Sequence, residues 1–514
     1  MSLDERQINA IVEAVVSRIS GSTSTSTPSG SSSGAARSDE IPRASRHTDE
    51  QARKPKTEGG NYIQTYSPSR KAPALVRGHK GIFDELDSAT GAAQAAHEQL
   101  VDLNLATRRK IIQAMRDVTV KHVQELSQKA VEETGLGRVD DKVQKNLLCA
   151  LKTPGVEILE LPETFTGDGG LAMTERAPFG VIGAITPTTN PTETVINNAI
   201  GMVAGGNSVV FNVHPSAKKV CRYHVELLNE AIVSAGGPEN LVTMMAEPTI
   251  ESAQALMKHK GTRVTVVTGG PAVVKAALNS GKRAICAGPG NPPAVVDETA
   301  IISKAGRDIV RGASLDNNIV CIVEKEVIAV ASIADELKKA MVEAGAYEVK
   351  GAMINSLEAL VVLPDGHPNK DWVGKDAAKI ARAAGFHVPE STRLLFAEVD
   401  FHHPFIQSEL LMPVIGFTRA RDVHEAIDLA VEAEHGFGHT ATMHSQRIEN
   451  LHTMSRDINT SIFVKNGPSF AGLGLEGEGY TSFTIASPTG EGLTTARTFT
   501  RERRCTLKDY FRIV

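Results

Sequence analysis

Apolar positions recur in two alternating rhythms from about residue 180 onward. Short unbroken apolar runs (GVIGAIT, SVVFNV, LVTMM, RVTVVT) are separated by stretches in which apolar residues return every three or four positions: ETVINNAIGMVAGG, AKKVCRYHVELLNEAIVSAGG, IESAQALMKH and PAVVKAALNSG. The first rhythm predicts buried strands and the second predicts helices with one face on a core. Their regular alternation predicts an α/β fold with a parallel, doubly wound sheet. A second α/β set is expected after Cys321, with strands at CIVEKEVIAV, MPVIGF and SIFV. Between about residues 80 and 150 the spacing is helical throughout. The C-terminal run TTARTFTRERRCTLKDYF alternates, which predicts an exposed strand with an edge available to a neighbour.

The same reading isolates the first twenty residues. Ile8, Ile11, Val12, Val15 and Ile19 form one apolar stripe, and Ser2 with Glu5 fits a capping box. SGSTSTSTPSGSSSG and a charged stretch to about residue 70 then read as linker, too poor in apolar residues to build a core. An amphipathic helix on a tether is expected to dock into a groove of another protein. A frayed terminus and a membrane-surface helix are the alternatives, the latter disfavoured by Asp4, Glu5 and Glu13 on the polar face.

Composition adds exclusions. A net charge of -5 without long runs of one sign asks for neither nucleic acid nor an anionic membrane. A single tryptophan, Trp372, and 4% aromatic residues leave little for stacking bases. No apolar run approaches the roughly 20 residues of a bilayer span, and MSLDERQ is no secretory signal. Five widely spaced cysteines without a CxxC pair argue against a disulfide framework or structural zinc, and for a reducing compartment. His435 and His439 are four apart, but Gly436 and Gly438 break the helix that a metal pair would need, so no metal site is expected.

Three stretches carry candidate chemistry. Thr268-Gly269-Gly270 ends a strand and leads into a helix opened by Pro271, a turn that lets a phosphate approach backbone N–H groups. It is neither a full GxGxxG nor a P-loop, and AGPGNPP at 287–293 runs into the strand AVVD, so it is a poor dinucleotide fingerprint. TPTTNPTET at 186–194 sits at the carboxyl end of a strand, where open α/β sheets bind ligands; a capped Pro-rich turn is the plain alternative. Cys321 follows Asp-Asn-Asn, and taken alone it reads first as a small core residue, with a nucleophile as the alternative.

Together TPTTNPTET, AGPGNPPAVVDETA, DNNIVCIVEKEV, GFGHTATMHS and SFTIASPTGEGLTTARTFTR, in this order, resemble the aldehyde dehydrogenase superfamily. More closely they resemble its CoA-acylating branch, the acetaldehyde and propionaldehyde dehydrogenases of bacterial microcompartments. The resemblance spans about residues 75–514. It implies a Rossmann-type NAD-binding domain at 71–288, an α/β catalytic domain at 289–485 and a C-terminal oligomerisation segment at 486–514. Ahead of these stand a targeting helix at 1–20 and a linker at 21–70. It further implies a homo-oligomer (dimer or tetramer), NAD in preference to NADP, CoA as co-substrate and a short aldehyde. The implied location is the cytoplasm, within a microcompartment lumen, with residues 1–20 addressing shell proteins.

By the same resemblance Cys321 is the nucleophile, and Thr268, Gly269 and Gly270 lie under the cofactor pyrophosphate. Glu409 in ELLMPV holds the nicotinamide ribose, and Thr186, Pro187, Thr188 and Gly288 join the cofactor contacts. His214 in NVHPS replaces the family's adenosine-ribose lysine, which leaves NAD against NADP open. The oxyanion asparagine aligns with Thr189, with Asn190 one place later, so either can be the donor. His439 in GFGHT is expected to line the site. So is Cys286 in ICAGPGNP, which occupies the place of the general-base glutamate of hydrolytic relatives. Water needs such a base, whereas a CoA thiol, with a pKa of about 8.5, already offers a few per cent thiolate near neutrality. The expected reaction is therefore transfer of the acyl group from Cys321 to CoA. A hydrolytic dehydrogenase giving the free acid and a non-catalytic shell-associated protein are the rivals.

Overall fold

A computed structural model describes residues 80–513. The targeting-helix and linker readings at 1–20 and 21–70 lie outside the described residues. Four helices come first among the longer elements, Leu86–Val101, Leu105–Lys121, Val123–Thr134 and Val139–Lys152. They pack with Pro191–Ala204 and Lys218–Ser234 around the first sheet.

That sheet has six parallel strands in the spatial order Ile82–Phe83, Val242–Met245, Ser208–Asn212, Val181–Ile185, Val264–Thr268 and Arg283–Ala287. The unbroken apolar runs are buried on both faces, as parallel strands under two helical layers must be. Chain order reverses between the neighbours Val181–Ile185 and Val264–Thr268, which makes the gap above their carboxyl ends a topological switch point. A second sheet of seven parallel strands follows: Ala346–Val349, Leu394–Glu398, Val414–Ala420, Glu326–Val330, Pro293–Val296, Thr440–His444 and Ile462–Lys465.

The edge strands Ile82–Phe83, within a stretch read as helical, and Arg283–Ala287 are not in the sequence pattern, and two other features depart from it. The strand expected over CIVEKEVIAV begins only at Glu326, and Cys321 lies on a turn. The buried Lys325 ammonium draws that turn back on itself, donating to Asn318 O at 2.8 Å, Asn318 Oδ1 at 2.7 Å and Val320 O at 3.2 Å. A third, antiparallel sheet joins Glu163–Gly167, Gly170–Pro178 and Thr500–Lys508. Its strands are largely solvated and carry little of the apolar signal that betrays a buried strand. The alternating C-terminal run is thus a strand, paired along nine positions with Gly170–Pro178 of its own chain.

Candidate active site

A cavity of about 1310 Å³ opens at the switch point. The first sheet contributes residues 186–190, His214, the Thr268-Gly269-Gly270 turn and Gly288. The second half of the chain contributes Cys321 and Glu409. Segments from 186 to 409 therefore meet around one volume. It exceeds the 300–1,000 Å³ or so of an ordinary ligand pocket and suits a dinucleotide.

The residues present fit such a cofactor. Thr186 Oγ1 and Thr188 Oγ1 are buried on the cavity side of the fold without a protein partner. A Cβ on Gly270 would meet no atom within 4 Å, so the turn presents bare backbone to the cavity at the start of the helix Pro271–Leu278. Gly269 has a different reason to lack a side chain, since a Cβ there would stand 2.7 Å from Val273 Cγ1. His214 faces the cavity mouth, its Nδ1 accepting the Ser216 N–H at 3.2 Å. Burial, and then the charge of Lys370, lower its pKa.

Cys321 is presented by an unusual turn. Asp316, Asn317 and Asn318 are left-handed in succession, with φ of 49°, 54° and 65°. Apart from glycine, Asp and Asn are the residues that tolerate this region best, which explains the Asp-Asn-Asn before the cysteine. Each side chain is tied. Asn318 Nδ2 donates to Ala313 O and Glu324 O at 2.7 and 2.9 Å, and Asn317 Nδ2 to Gly374 O at 3.0 Å. Asp316 Oδ1 accepts the Arg138 N–H at 2.7 Å.

Asp316 is also the centre of a buried ionic cluster that the sequence reading missed. Lys142 and Lys145, on the helix Val139–Lys152, approach Asp316 Oδ2 to 3.0 and 2.6 Å, and Lys145 reaches Glu193 Oε1 at 3.1 Å. All four side chains are at most 1% exposed. Burial works against the Lys145 charge, but Asp316 and Glu193 outweigh it and hold its pKa above the ordinary value. Burial likewise opposes the Asp316 carboxylate, and the two lysines outweigh it, holding the pKa low. Lys145 Nζ further donates to Asn190 Oδ1 at 2.5 Å, and Lys142 Nζ to Thr189 O at 3.1 Å. The available signal was positional: Lys142 and Lys145 share a helix face with the buried Cys149.

Burial first, then the Glu409 charge, push the Cys321 thiol up to about 12, while Lys325 and Lys145 pull the other way. Burial brings the Glu409 carboxyl to about 7 against the opposing pull of Lys325 and the Gly290 N–H. His439, expected at the lining, does not line the cavity; it is fully buried behind Gly290. A Cβ on Gly290 would stand 2.9 Å from His439 Cγ and 3.1 Å from Cys321 O, so only a glycine separates the ring from the Cys321 backbone. The His439 Nδ1 pairs with Thr440 Oγ1 at 2.9 Å, Nε2 has no protein partner, and burial followed by Lys325 brings its pKa to about 4.

The placement of Cys286 is a correction. Its side chain does not line the cavity; it is fully buried in the apolar cluster with Val267, Val274 and Ala277. Burial, then Glu491, raise its thiol to about 11. Alternation along Arg283–Ala287 sends Ile285 and Cys286 to opposite faces, and both faces are core.

A dinucleotide-sized cavity at the switch point of a parallel sheet, with a cysteine at its wall, defines the class as a thiol-dependent nucleotide oxidoreductase. The chain belongs to the aldehyde dehydrogenase family, whose model matches residues 55–353. The likeness to the CoA-acylating branch also holds. The acetaldehyde dehydrogenase (acetylating) of Salmonella typhimurium is 52% identical over 448 residues, covering 86% of this chain and 95% of the relative. The propionaldehyde dehydrogenase of Rhodopseudomonas palustris, solved with propionyl-CoA, is 49% identical with a TM-score of 0.82, over 84% of this chain and 96% of that one. A propionaldehyde dehydrogenase from a fucose-utilisation microcompartment of Clostridium phytofermentans is 47% identical with a TM-score of 0.83, over 84% of this chain and all of that one. Two further structures of the Clostridium protein carry alanine for one histidine and for one cysteine. The spacing between those two positions equals that between His439 and Cys321.

Proposed function

We propose that this enzyme oxidises a short-chain aldehyde to its acyl-CoA with NAD. The Cys321 sulfur adds to the aldehyde carbonyl, forming a C–S bond as its proton is released to solvent in the cavity. The oxyanion that develops is met by the Cys321 N–H and by the side-chain amide of Asn190. The choice of Asn190 over Thr189 follows from Lys145. A lysine held protonated has no acceptor, so the edge of Asn190 turned to it is Oδ1, and Nδ2, which donates one N–H to Thr189 Oγ1 at 3.2 Å, keeps the other for the oxyanion. Residues 186–188, His214, the Thr268-Gly269-Gly270 turn, Gly288 and Glu409 would hold NAD, which would supply the hydride acceptor. The acyl group is then left on Cys321, and a CoA thiolate attacks it and releases the cysteine sulfur.

What supports CoA over water is the likeness to CoA-acylating relatives, one of them solved with propionyl-CoA. Cys286, read from the sequence as standing in place of a hydrolytic base, is packed in the core and offers water no base at the cavity wall. The test supplies short aldehydes and NAD with and without CoA and identifies the product. Acyl-CoA formed only with CoA is expected, and free acid formed at equal rate without CoA would overturn the reading.

We also propose that the enzyme works in a microcompartment lumen, carried to shell proteins by residues 1–20. The apolar stripe behind a core-less linker supports this, as does the microcompartment source of the Clostridium relative. Deleting residues 1–20 is expected to leave soluble activity unchanged and abolish co-purification with shells; equal shell recovery would refute it. The domain division at 71–288, 289–485 and 486–514 is part of the same proposal. The second edge of Thr500–Lys508 pairs with no strand among the described residues, which supports assembly through that segment.

A further inference from the structure

We infer that Lys145 is a positioning residue for the oxyanion donor, fixing from inside the fold which edge of Asn190 serves Cys321. The inference rests on the assignment of Cys321 and Asn190 made above.

An asparagine amide is nearly symmetric in shape and opposite in polarity at its two edges. Turned one way it stabilises a developing oxyanion; turned by half a revolution it repels it. Packing alone discriminates poorly between the two, because the amide oxygen and nitrogen differ little in size. A neighbour that only donates does discriminate, and Lys145 is such a neighbour, 2.5 Å from Oδ1. Its own charge is secured by Asp316 at 2.6 Å and Glu193 at 3.1 Å. Glu193 lies three residues beyond Asn190, on the helix Pro191–Ala204 that Asn190 caps.

The same cluster reaches the nucleophile. Asp316 is the first of the three left-handed residues before Cys321, and its N–H donates to Asp141 Oδ2 at 3.0 Å. Gly137 makes room for it, since a Cβ there would lie 2.0 Å from Asp316 Oδ1. Lys142 completes the tie by holding both Asp316 Oδ2 and Thr189 O. One helix, Val139–Lys152, thus links the loop of the oxyanion donor to the root of the nucleophile turn, although the two lie more than a hundred residues apart in sequence. Stability does not account for this arrangement, because a buried ion cluster is often no more stable than apolar packing of the same volume. Geometry held to within about half an ångström is what such a cluster supplies to a site.

The test is a double-mutant cycle in the full chain, read as kcat at saturating aldehyde, NAD and CoA. Asn190→Ala is expected to lower kcat by about 10²- to 10³-fold, the loss typical of an oxyanion donor. Lys145→Met is expected to lower it by about 10- to 100-fold with the Kd for NAD unchanged. The double variant is expected to match Asn190→Ala within about threefold, because a residue that acts through Asn190 has nothing left to position. Lys145→Gln, which keeps an amide donor, is expected between wild type and Lys145→Met, and it carries the cycle if the methionine variant does not fold. A double variant that falls by the product of the two single losses overturns the positioning role, as does wild-type kcat in folded Lys145→Met. Wild-type kcat in Asn190→Ala overturns the assignment of Asn190 itself, and the role of Lys145 with it.

Discussion

Two turns shape the cavity, one at its wall and one buried beneath Cys321, and they are built on opposite principles. Thr268-Gly269-Gly270 joins adjacent elements and offers neutral backbone N–H groups, with glycine where a side chain would intrude. Asp316-Asn317-Asn318 is held left-handed by side chains and main-chain groups from residues 138, 141, 142, 145 and 374, with two ammonium groups at its root. In the proposed reading the first has a wide tolerance, because its ligand would be bound by dipoles that any backbone carries. The second must fix one sulfur against one amide, and its precision comes from buried charges that have no substitute once one is removed.

The sharpest test of this contrast is at the nucleophile. Cys321→Ala is expected to lower CoA-dependent NADH formation by more than about 10³-fold. NAD titration should remain at the wild-type Kd, because the cofactor turn shares no side chain with the nucleophile turn. Wild-type-like turnover in the purified variant would remove Cys321 from the chemistry.

The next largest effect falls on stability. Asp316→Ala leaves two buried lysines against Glu193 alone, a loss expected to cost about 3–5 kcal/mol in chemical denaturation. In the other turn, Gly270→Ala meets open space at an ordinary φ of -69°, so its folding should change by less than about 0.5 kcal/mol. Its Cβ would stand where the pyrophosphate approaches the backbone, and the KM for NAD is expected to rise about tenfold, or ~1.4 kcal/mol. Equal stability losses in the two variants would dissolve the contrast.

The same difference explains what the sequence disclosed. The βα rhythm placed the four inner strands of the six-stranded sheet, since each is a buried apolar run and the helices between them are amphipathic; the edge strands Ile82–Phe83 and Arg283–Ala287 are too short or too polar to show it. The cofactor turn was legible for the same reason: strand, glycines and Pro271 are contiguous. The nucleophile turn was legible only as the triplet Asp-Asn-Asn, whose left-handed backbone follows from residue type. Lys142 and Lys145 were not legible as site residues, because two lysines in DDKVQKNLLC read as a solvated face until their partners at 189–193 and 316 are brought over them. Cys286 shows the converse limit. Alignment matched it to a catalytic glutamate, but which face of a buried strand a side chain occupies is decided by packing, and here it is core.

The smallest expected effect concerns Glu409, the charge that raises the Cys321 thiol most. Ionised Glu409 raises the thiol pKa, second only to burial, so Glu409→Gln should lower it and speed alkylation of Cys321 by iodoacetamide. A single charge acting across a partly solvated cavity is worth about fivefold in thiolate population. The sign depends on pH. The Glu409 carboxyl sits at about 7, so below about pH 6 it is protonated in the native enzyme and its field is gone. Native and variant rates should therefore converge in acid and separate above about pH 8, with the variant faster. If Glu409 instead took the thiol proton as a base, the substitution would slow alkylation above neutrality, and the order of the two curves would reverse. That reversal would make Glu409 part of the precise, charge-built side of the cavity; the predicted order leaves it with the cofactor-binding side, tolerated near the sulfur at a measurable cost in thiolate.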